Sequence, residues 1–452
     1  MDKAIQKIDH LMWDAEAPNS LPTIAGILVF EHPLNKQNLI NVVSKRLFRY
    51  ERFKKKVILK DGKPMWHEDE KFDLQTHFHH IHLPDNGGYT ELQECVSQLI
   101  SQPLNHNKPL WDVHLIDNYK NGSAVLWRLH HAIGDGMSLV KVVYSLTGNS
   151  AKDSLTISGR NRKSKTRKST GKKEHLAESE KSVFDDAMQL LSNPALLRDT
   201  IETNWQTVME IGELFFGKPV TNTIYKGQLG AAKKAAWTKP LSLVKIKTIA
   251  KYYKVKMNDV LVALVAGAIR AHLRLHRQKL GKGMKVVVPI NIRKKDDLSD
   301  VDNEFSWISL DLPVHIKDFE KRLKFIRKKT AVLKPSAETL FLHEMLHIVA
   351  DYIPQPVKQM FLEFMGNHIA GVITNMPGPE HPIYFAGEKV EDLTFWVPHT
   401  VPLGIGISLM SYDGKVYMGI VTDEGLVNDP DTIVNAFADE LNQVEKVILP
   451  IG

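Results

Sequence analysis

The residues of this chain best suited to chemistry lie in Trp127–Ser138, which reads W-R-L-H-H-A-I-G-D-G-M-S. Imidazole titrates near neutral pH, so a histidine that faces a cavity can take a proton from a hydroxyl or a thiol as general base. Ser123 to Leu129 is short and mostly apolar, which predicts a buried strand ending at His130 and His131. Neighbouring strand side chains point to opposite faces, so one of the two histidines faces a cavity and the other packs. Gly134 and Gly136 let the chain turn sharply after the pair. Leu139, Val140, Val142, Val143 and Leu146 then give a helical apolar face, with Gly148 as its stop. Asp135 in the turn can approach the imidazole or pin the turn by pairing with a distant arginine. Composition alone equally allows a buried strand that ends in a satisfied histidine pair and an ordinary Asp-Gly turn.

Other candidates are weaker. His343-Glu344-x-x-His347 matches the zincin pattern of two imidazoles one helical turn apart. Pro354 and Pro356 interrupt the path to Glu363, the nearest third ligand, and Leu342, Met345, Leu346 and Val349 read as an inward-packing helix face. His77, His79, His80 and His82 crowd one segment, but no cysteine or paired carboxylate completes a shell, so no metal is expected there. The chain lacks a G-x-S-x-G elbow, a G-x-x-x-x-G-K-[ST] loop and a C-x-x-C pair, and Gly404-x-Gly406 lacks the third glycine of a dinucleotide fingerprint. Without a protein nucleophile, any group transfer would pass directly from donor to acceptor and need only a general base and oxyanion donors.

H-H-A-I-G-D-G resembles the H-H-x-x-x-D-G signature shared by chloramphenicol acetyltransferase, carnitine acyltransferases and peptide-synthetase condensation domains. Pro109-Leu110-Trp111, Asn258-Asp259-Val260, Pro289-Ile290-Asn291-Ile292-Arg293 and Asn375-Met376-Pro377-Gly378-Pro379 follow in order along nearly the whole chain. Together they resemble the bacterial wax ester synthase/diacylglycerol acyltransferase family. Gly134 stands where that family has a bulkier residue, and Asp302-Asn303 stands where it has Gly-Asn. The resemblance implies two chloramphenicol-acetyltransferase-like α/β domains, each a mixed sheet with helices, around a cleft or channel. It also implies fatty acyl transfer from acyl-coenzyme A to a long-chain alcohol or diacylglycerol, with no metal and no cofactor beyond the thioester substrate.

In that scheme His131 is the base, with His130 and Asp135 beside it, and Arg293 is the partner that ties Asp135 to the second half. Gly136, Asn258, Asn291 and Asn375 are expected near substrate, with Asp259 in support, although Asn291 and Asn375 sit in polar loops and could as easily be turn formers. Trp111 is either packing or a substrate contact. Asn258 is also a helix-cap candidate. Met345, Met360, Phe361 and Phe364 would line an acyl channel or form plain core. Rival readings are a carrier-protein-linked condensation module, a zinc peptidase and a lipid-binding protein without chemistry.

At 452 residues the chain suggests two domains, taken as 1–150 and 216–452 with a basic loop and helical bridge over 151–215. Hydrophobic residues at 43% and charged residues at 25% suit a globular protein rather than a disordered one. A single cysteine, Cys95, rules out an internal disulfide and fits a reducing cytoplasm. No leader is read at the start, and the longest apolar run, Val260 to Ile269, is far short of the ~20 residues of a membrane span. Membrane or lipid-droplet contact would therefore be peripheral. The net charge of +7 is local: Arg160 to Lys173 holds eight basic residues and no acid, and the rest is nearly neutral, which argues against a nucleic-acid partner.

Periodicity predicts strands at Leu21–Glu31, Leu110–Ile116, Lys285–Ile290, Trp307–Pro313, Ile369–Asn375, Val401–Tyr412 and Lys415–Thr422, and a hairpin turning at Asp61-Gly62. Helices are predicted at Asn38–Phe53, Leu92–Leu104, Leu241–Tyr253, Met257–Leu275, Phe319–Val332 and Pro430–Val447, with further helical spacing at Val183–Phe216, Phe341–Tyr352 and Val357–His368.

Overall fold

A computed structural model describes residues 2–85, 87–156, 223–281, 284–291, 305–332, 363–398 and 403–448. The segments Arg160 to Lys173, Val183 to Phe216 and His343 to His347 lie outside the described residues, as do Arg293 and Asp302-Asn303.

In chain order the first half supplies α1 (Lys7–Asp14), β1 (Thr23–Phe30), α2 (Lys36–Arg46), β2 (Phe78–His82), α3 (Tyr89–Ile100), β3 (Trp111–Tyr119), β4 (Gly122–His130) and α4 (Gly136–Leu146). The second half supplies β5 (Lys233–Trp237), α5 (Leu243–Tyr252), α6 (Met257–Leu275), β6 (Met284–Asn291), β7 (Phe305–Leu312), α7 (Phe319–Val332), β8 (Gly371–Pro377), β9 (Asp392–Trp396), β10 (Ile405–Tyr412), β11 (Lys415–Asp423) and α8 (Pro430–Ile448). Two mixed sheets organise the molecule. One runs β9-β1-β4-β3-β2, and the other β7-β6-β8-β10-β11-β5, with the short strand Leu241–Ser242 also on β11. The predicted mixed α/β architecture is thus observed.

The halves interlock. β9 lies antiparallel to β1, from Asp392 opposite Val29 to Trp396 opposite Ala25, so the second half completes the first sheet. In the other direction, the Tyr89 hydroxyl of α3 bonds the Trp237 carbonyl of β5 at 2.8 Å. The buried Lys233 ammonium reaches Asp423 at 2.7 Å and the Asn19 carbonyl at 3.0 Å.

Helix α6 matches its prediction. Its Val260–Ile269 run is buried all round because α7 and α8 cover the faces that the second sheet does not. Each large apolar side chain there contributes roughly 1.5–3 kcal/mol by leaving water. The cap differs from expectation. Lys256 is the N-cap and Asp259 folds back to accept its backbone N–H at 3.2 Å, so Asn258 is the second residue of the helix and not its cap. In the first half, Asp61 and Gly62 take φ of +52° and +73°, the left-handed pair that a two-residue hairpin requires. The helix predicted over Asn38–Phe53 ends at Arg46 and continues as two short 3₁₀ turns to Lys54.

Candidate active site

β4 is central in the first sheet and buried along its whole length, which brings the histidine pair to its end inside the molecule. His130 is held on both ring nitrogens. Its Nδ1 accepts the Ala132 N–H at 3.0 Å, so Nε2 carries the proton and donates to Glu16 at 3.1 Å. Burial lowers the His130 pKa, and the hydrogen bond to Glu16 opposes that only in part. Glu16 is itself buried enough to be pushed up, but hydrogen bonds from His106 and His130 outweigh this and bring it down to about 2. His130 is therefore the packing histidine.

His131 follows the strand, its N–H bonded to the Pro22 carbonyl at 2.7 Å, and its side chain borders a cavity of about 230 Å³. Asp135, Gly136 and Met137 border it from the first half, and Pro289, Trp307, Met365, Thr374, Asn375 and Met376 from the second. A smaller apolar chamber of about 60 Å³, lined by Leu28, Trp127, Val140 and Tyr144, shares Ile24, Gly136, Met376 and Phe395 with the first. Gly136 sits at the junction: a Cβ there would stand 2.4 Å from Met376 Cε.

The turn after His131 is fixed from two sides. Asp135 is the N-cap of α4, its carboxylate accepting the Ser138 N–H at 2.8 Å. The Arg52 guanidinium donates to the Ile133 carbonyl at 2.8 Å and pairs with the buried Asp9 at 2.8 Å. The Arg293 partner expected for Asp135 lies outside the described residues.

The remaining expected residues separate. The Asn375 amide donates to the Asn258 side-chain oxygen at 2.8 Å, joining the cavity wall to the start of α6. At the start of that helix Asp259 accepts the Lys256 N–H and, at 2.9 Å, the Thr330 hydroxyl. Asn291 ends β6 opposite Phe305, and its side chain lies outside the described residues. Trp111 is corrected to pure packing: it is fully buried, gives its indole N–H to the Phe53 carbonyl at 2.9 Å and stacks on His77 at 4.2 Å, away from the cavity. Phe364 packs against His368, whereas Met365 and Ile369 line the cavity. Met345, Met360 and Phe361 lie outside the described residues.

Three participants were missed. Glu16, His106 and Arg52 come from separate segments, and no spacing in the sequence links them to the histidine pair. The histidine-rich segment also differs from expectation, because β3, parallel to β2, brings Asp112 and His114 beside His79. Arg128 already holds both oxygens of Asp112, at 2.9 and 2.5 Å.

Interlocked mixed sheets meeting at a cavity bordered by a His-His-x-x-x-Asp-Gly turn define the chloramphenicol-acetyltransferase-like class, which includes condensation domains. The wax ester synthase/diacylglycerol acyltransferase of Marinobacter aquaeolei VT8 superposes with a TM-score of 0.70 at 19% identity, over 99% of this chain and 100% of that one. The first condensation domain of the calcium-dependent antibiotic synthetase superposes with a TM-score of 0.63 at 13% identity, over 98% and 97%. The chain belongs to the wax ester synthase/diacylglycerol acyltransferase family and is an acyltransferase: residues 5–261 match the family's catalytic domain and residues 301–445 its C-terminal domain. Among its relatives, the O-acyltransferase WSD of Acinetobacter baylyi is 26% identical over 99% of this chain and 98% of its own length. A Mycobacterium tuberculosis protein named as a diacylglycerol O-acyltransferase is 24% identical over 92% and 89%.

Proposed function

We propose that this enzyme moves a fatty acyl group from acyl-coenzyme A to the hydroxyl of a long-chain alcohol or a diacylglycerol, with His131 as general base. His131 takes the hydroxyl proton as the oxygen attacks the thioester carbonyl. The tetrahedral intermediate collapses with cleavage of the C–S bond, and the departing thiolate recovers the proton from His131. No metal or cofactor takes part, and no acyl-enzyme forms. The observation that carries this reading is the division of labour in the histidine pair: His130 is held on both ring nitrogens, while His131 borders an apolar cavity suited to hydrocarbon.

Among the described residues no helix is long and apolar enough to cross a membrane. Peripheral contact with a membrane or lipid droplet would bring the enzyme to its poorly soluble substrates. The basic stretch Arg160 to Lys173 is suited to that contact, at about 1 kcal/mol per charge near an anionic surface.

The test measures free thiol released from acyl-coenzyme A with a fatty alcohol or diacylglycerol as acceptor. His131→Ala should lower turnover by ~10²–10⁴ while the melting temperature holds, because a general base typically supplies that factor. His130→Ala should lower the melting temperature and activity together. Folded His131→Ala with near wild-type turnover would remove His131 as the base.

A further inference from the structure

The C-terminal end of α6 carries His272 and His276, four residues apart and so on one helix face. Their Nε2 atoms both turn to Asp429, which precedes α8. His272 Nε2 lies 3.1 Å from one carboxylate oxygen and His276 Nε2 lies 3.0 Å from the other. One donor atom from each of the three residues falls within 4.8 Å of the others. Zinc takes nitrogen at about 2.0–2.1 Å and carboxylate oxygen at about 2.0–2.2 Å. Ligands that distance from one ion, at angles between right and tetrahedral, stand about 2.9–3.4 Å apart, which both nitrogen–oxygen separations match.

A second observation concerns the orientation of the His272 ring. The fully buried Tyr225 hydroxyl lies 2.7 Å from His272 Nδ1. A metal-bound imidazole almost always gives its other N–H to an oxygen, and Tyr225 supplies that oxygen. Asp429 also suits a cation better than Asp112 does. Among the described residues its ion-pair partners are the two histidines, whereas both oxygens of Asp112 are taken by Arg128. His276 and Asp429 are 38% and 29% exposed, which leaves a path for the ion and a coordination position for water.

We propose that His272, His276 and Asp429 bind one zinc-class divalent cation, with Tyr225 orienting His272, and that the ion ties the end of α6 to the start of α8. The site is separate from the acyl-transfer cavity. Asn258 lies fourteen residues before His272 on α6, roughly 21 Å at 1.5 Å per residue.

Full-length protein stripped with a chelator is titrated with Zn²⁺ alone at neutral pH against a chromophoric competitor, with circular dichroism checking the fold of each variant. Wild type should bind one tight equivalent. His276→Ala and Asp429→Asn should each weaken binding at least tenfold, and Tyr225→Phe by roughly 10–100-fold, the usual effect of losing an orienting partner. His79→Ala and His347→Ala should bind as wild type does. The proposal fails if wild type takes up no stoichiometric zinc, in which case the cluster is a hydrogen-bonded helix junction only. It also fails if folded His276→Ala and Asp429→Asn retain wild-type affinity, or if His79→Ala or His347→Ala removes the bound equivalent.

Discussion

Gly136→Ala tests how the cavity beside His131 communicates with the smaller apolar chamber that shares its wall. Gly136 opens α4, where an alanine backbone is compatible with the helix, so the effect of the new methyl is steric. Its Cβ would meet Met376 Cε at 2.4 Å. Met376 must yield, because its flexible end can rotate at a cost of order 1 kcal/mol whereas the capped turn cannot move as cheaply. The junction between the 230 Å³ and 60 Å³ chambers narrows in consequence. Excluding two methylenes from the small chamber costs about 1.6 kcal/mol at ~0.8 kcal/mol each, which is about fifteenfold in kcat/KM. The assay is thiol release across saturated acyl donors of increasing length. Long donors should lose about fifteenfold relative to short ones, and Gly136→Ala with Met376→Ala should recover part of the ratio. An equal loss at every chain length, or no rescue by the second change, would refute the gate.

Three further outcomes are expected. Burial holds His77 neutral, lowering it to about 4 despite its hydrogen bond to the Trp111 carbonyl. The unfolded chain therefore binds this proton first, and stability falls as pH drops from about 6.5 through 4. The lost contribution is of order 3 kcal/mol at about 1.4 kcal/mol per unit, and His77→Gln should flatten the fall in melting temperature over that window. Arg52→Met removes the arginine that buried Asp9 pairs with and the donor to the Ile133 carbonyl. It should destabilise by roughly 3 kcal/mol, seen by denaturant melting, and reduce turnover because the turn after His131 loosens. Chelator treatment should strip any bound zinc yet leave the transfer rate unchanged; a rate that falls with metal loss and returns with zinc would place metal in the reaction.

Local pattern made some elements legible and left others hidden. α6 was readable to the residue because ten apolar residues in a row, Val260 to Ile269, outrun an ordinary strand. The Asp61-Gly62 hairpin was readable because its left-handed geometry demands those residue types. The histidine pair was readable as strand-end chemistry, but which imidazole faced the cavity was not. That depends on Glu16, more than a hundred residues away, and on a bond within the turn from Ala132. Asn258 looked like a cap because propensity favours asparagine there, yet the carboxylate of Asp259 one residue on reaches back to Lys256 and moves the start. β5 and β9 went unread: K-K-A-A-W carries little alternation, D-L-T-F-W alternates over too few residues to stand out, and distant partners make them strands.

The placement of β9 sets an order on synthesis. β1 is the first strand of its sheet to leave the ribosome, and its second neighbour, Asp392–Trp396, follows roughly 360 residues later. At about 5–20 residues per second that is an interval of roughly 20–70 s. Throughout it, the apolar edge Thr23-Ile24-Ala25-Gly26-Ile27-Leu28-Val29-Phe30 has one side unpaired and is a template for another nascent chain. The yield of active enzyme in a cell should therefore depend on holdase chaperones and on translation rate more steeply than the stability of the finished protein would suggest.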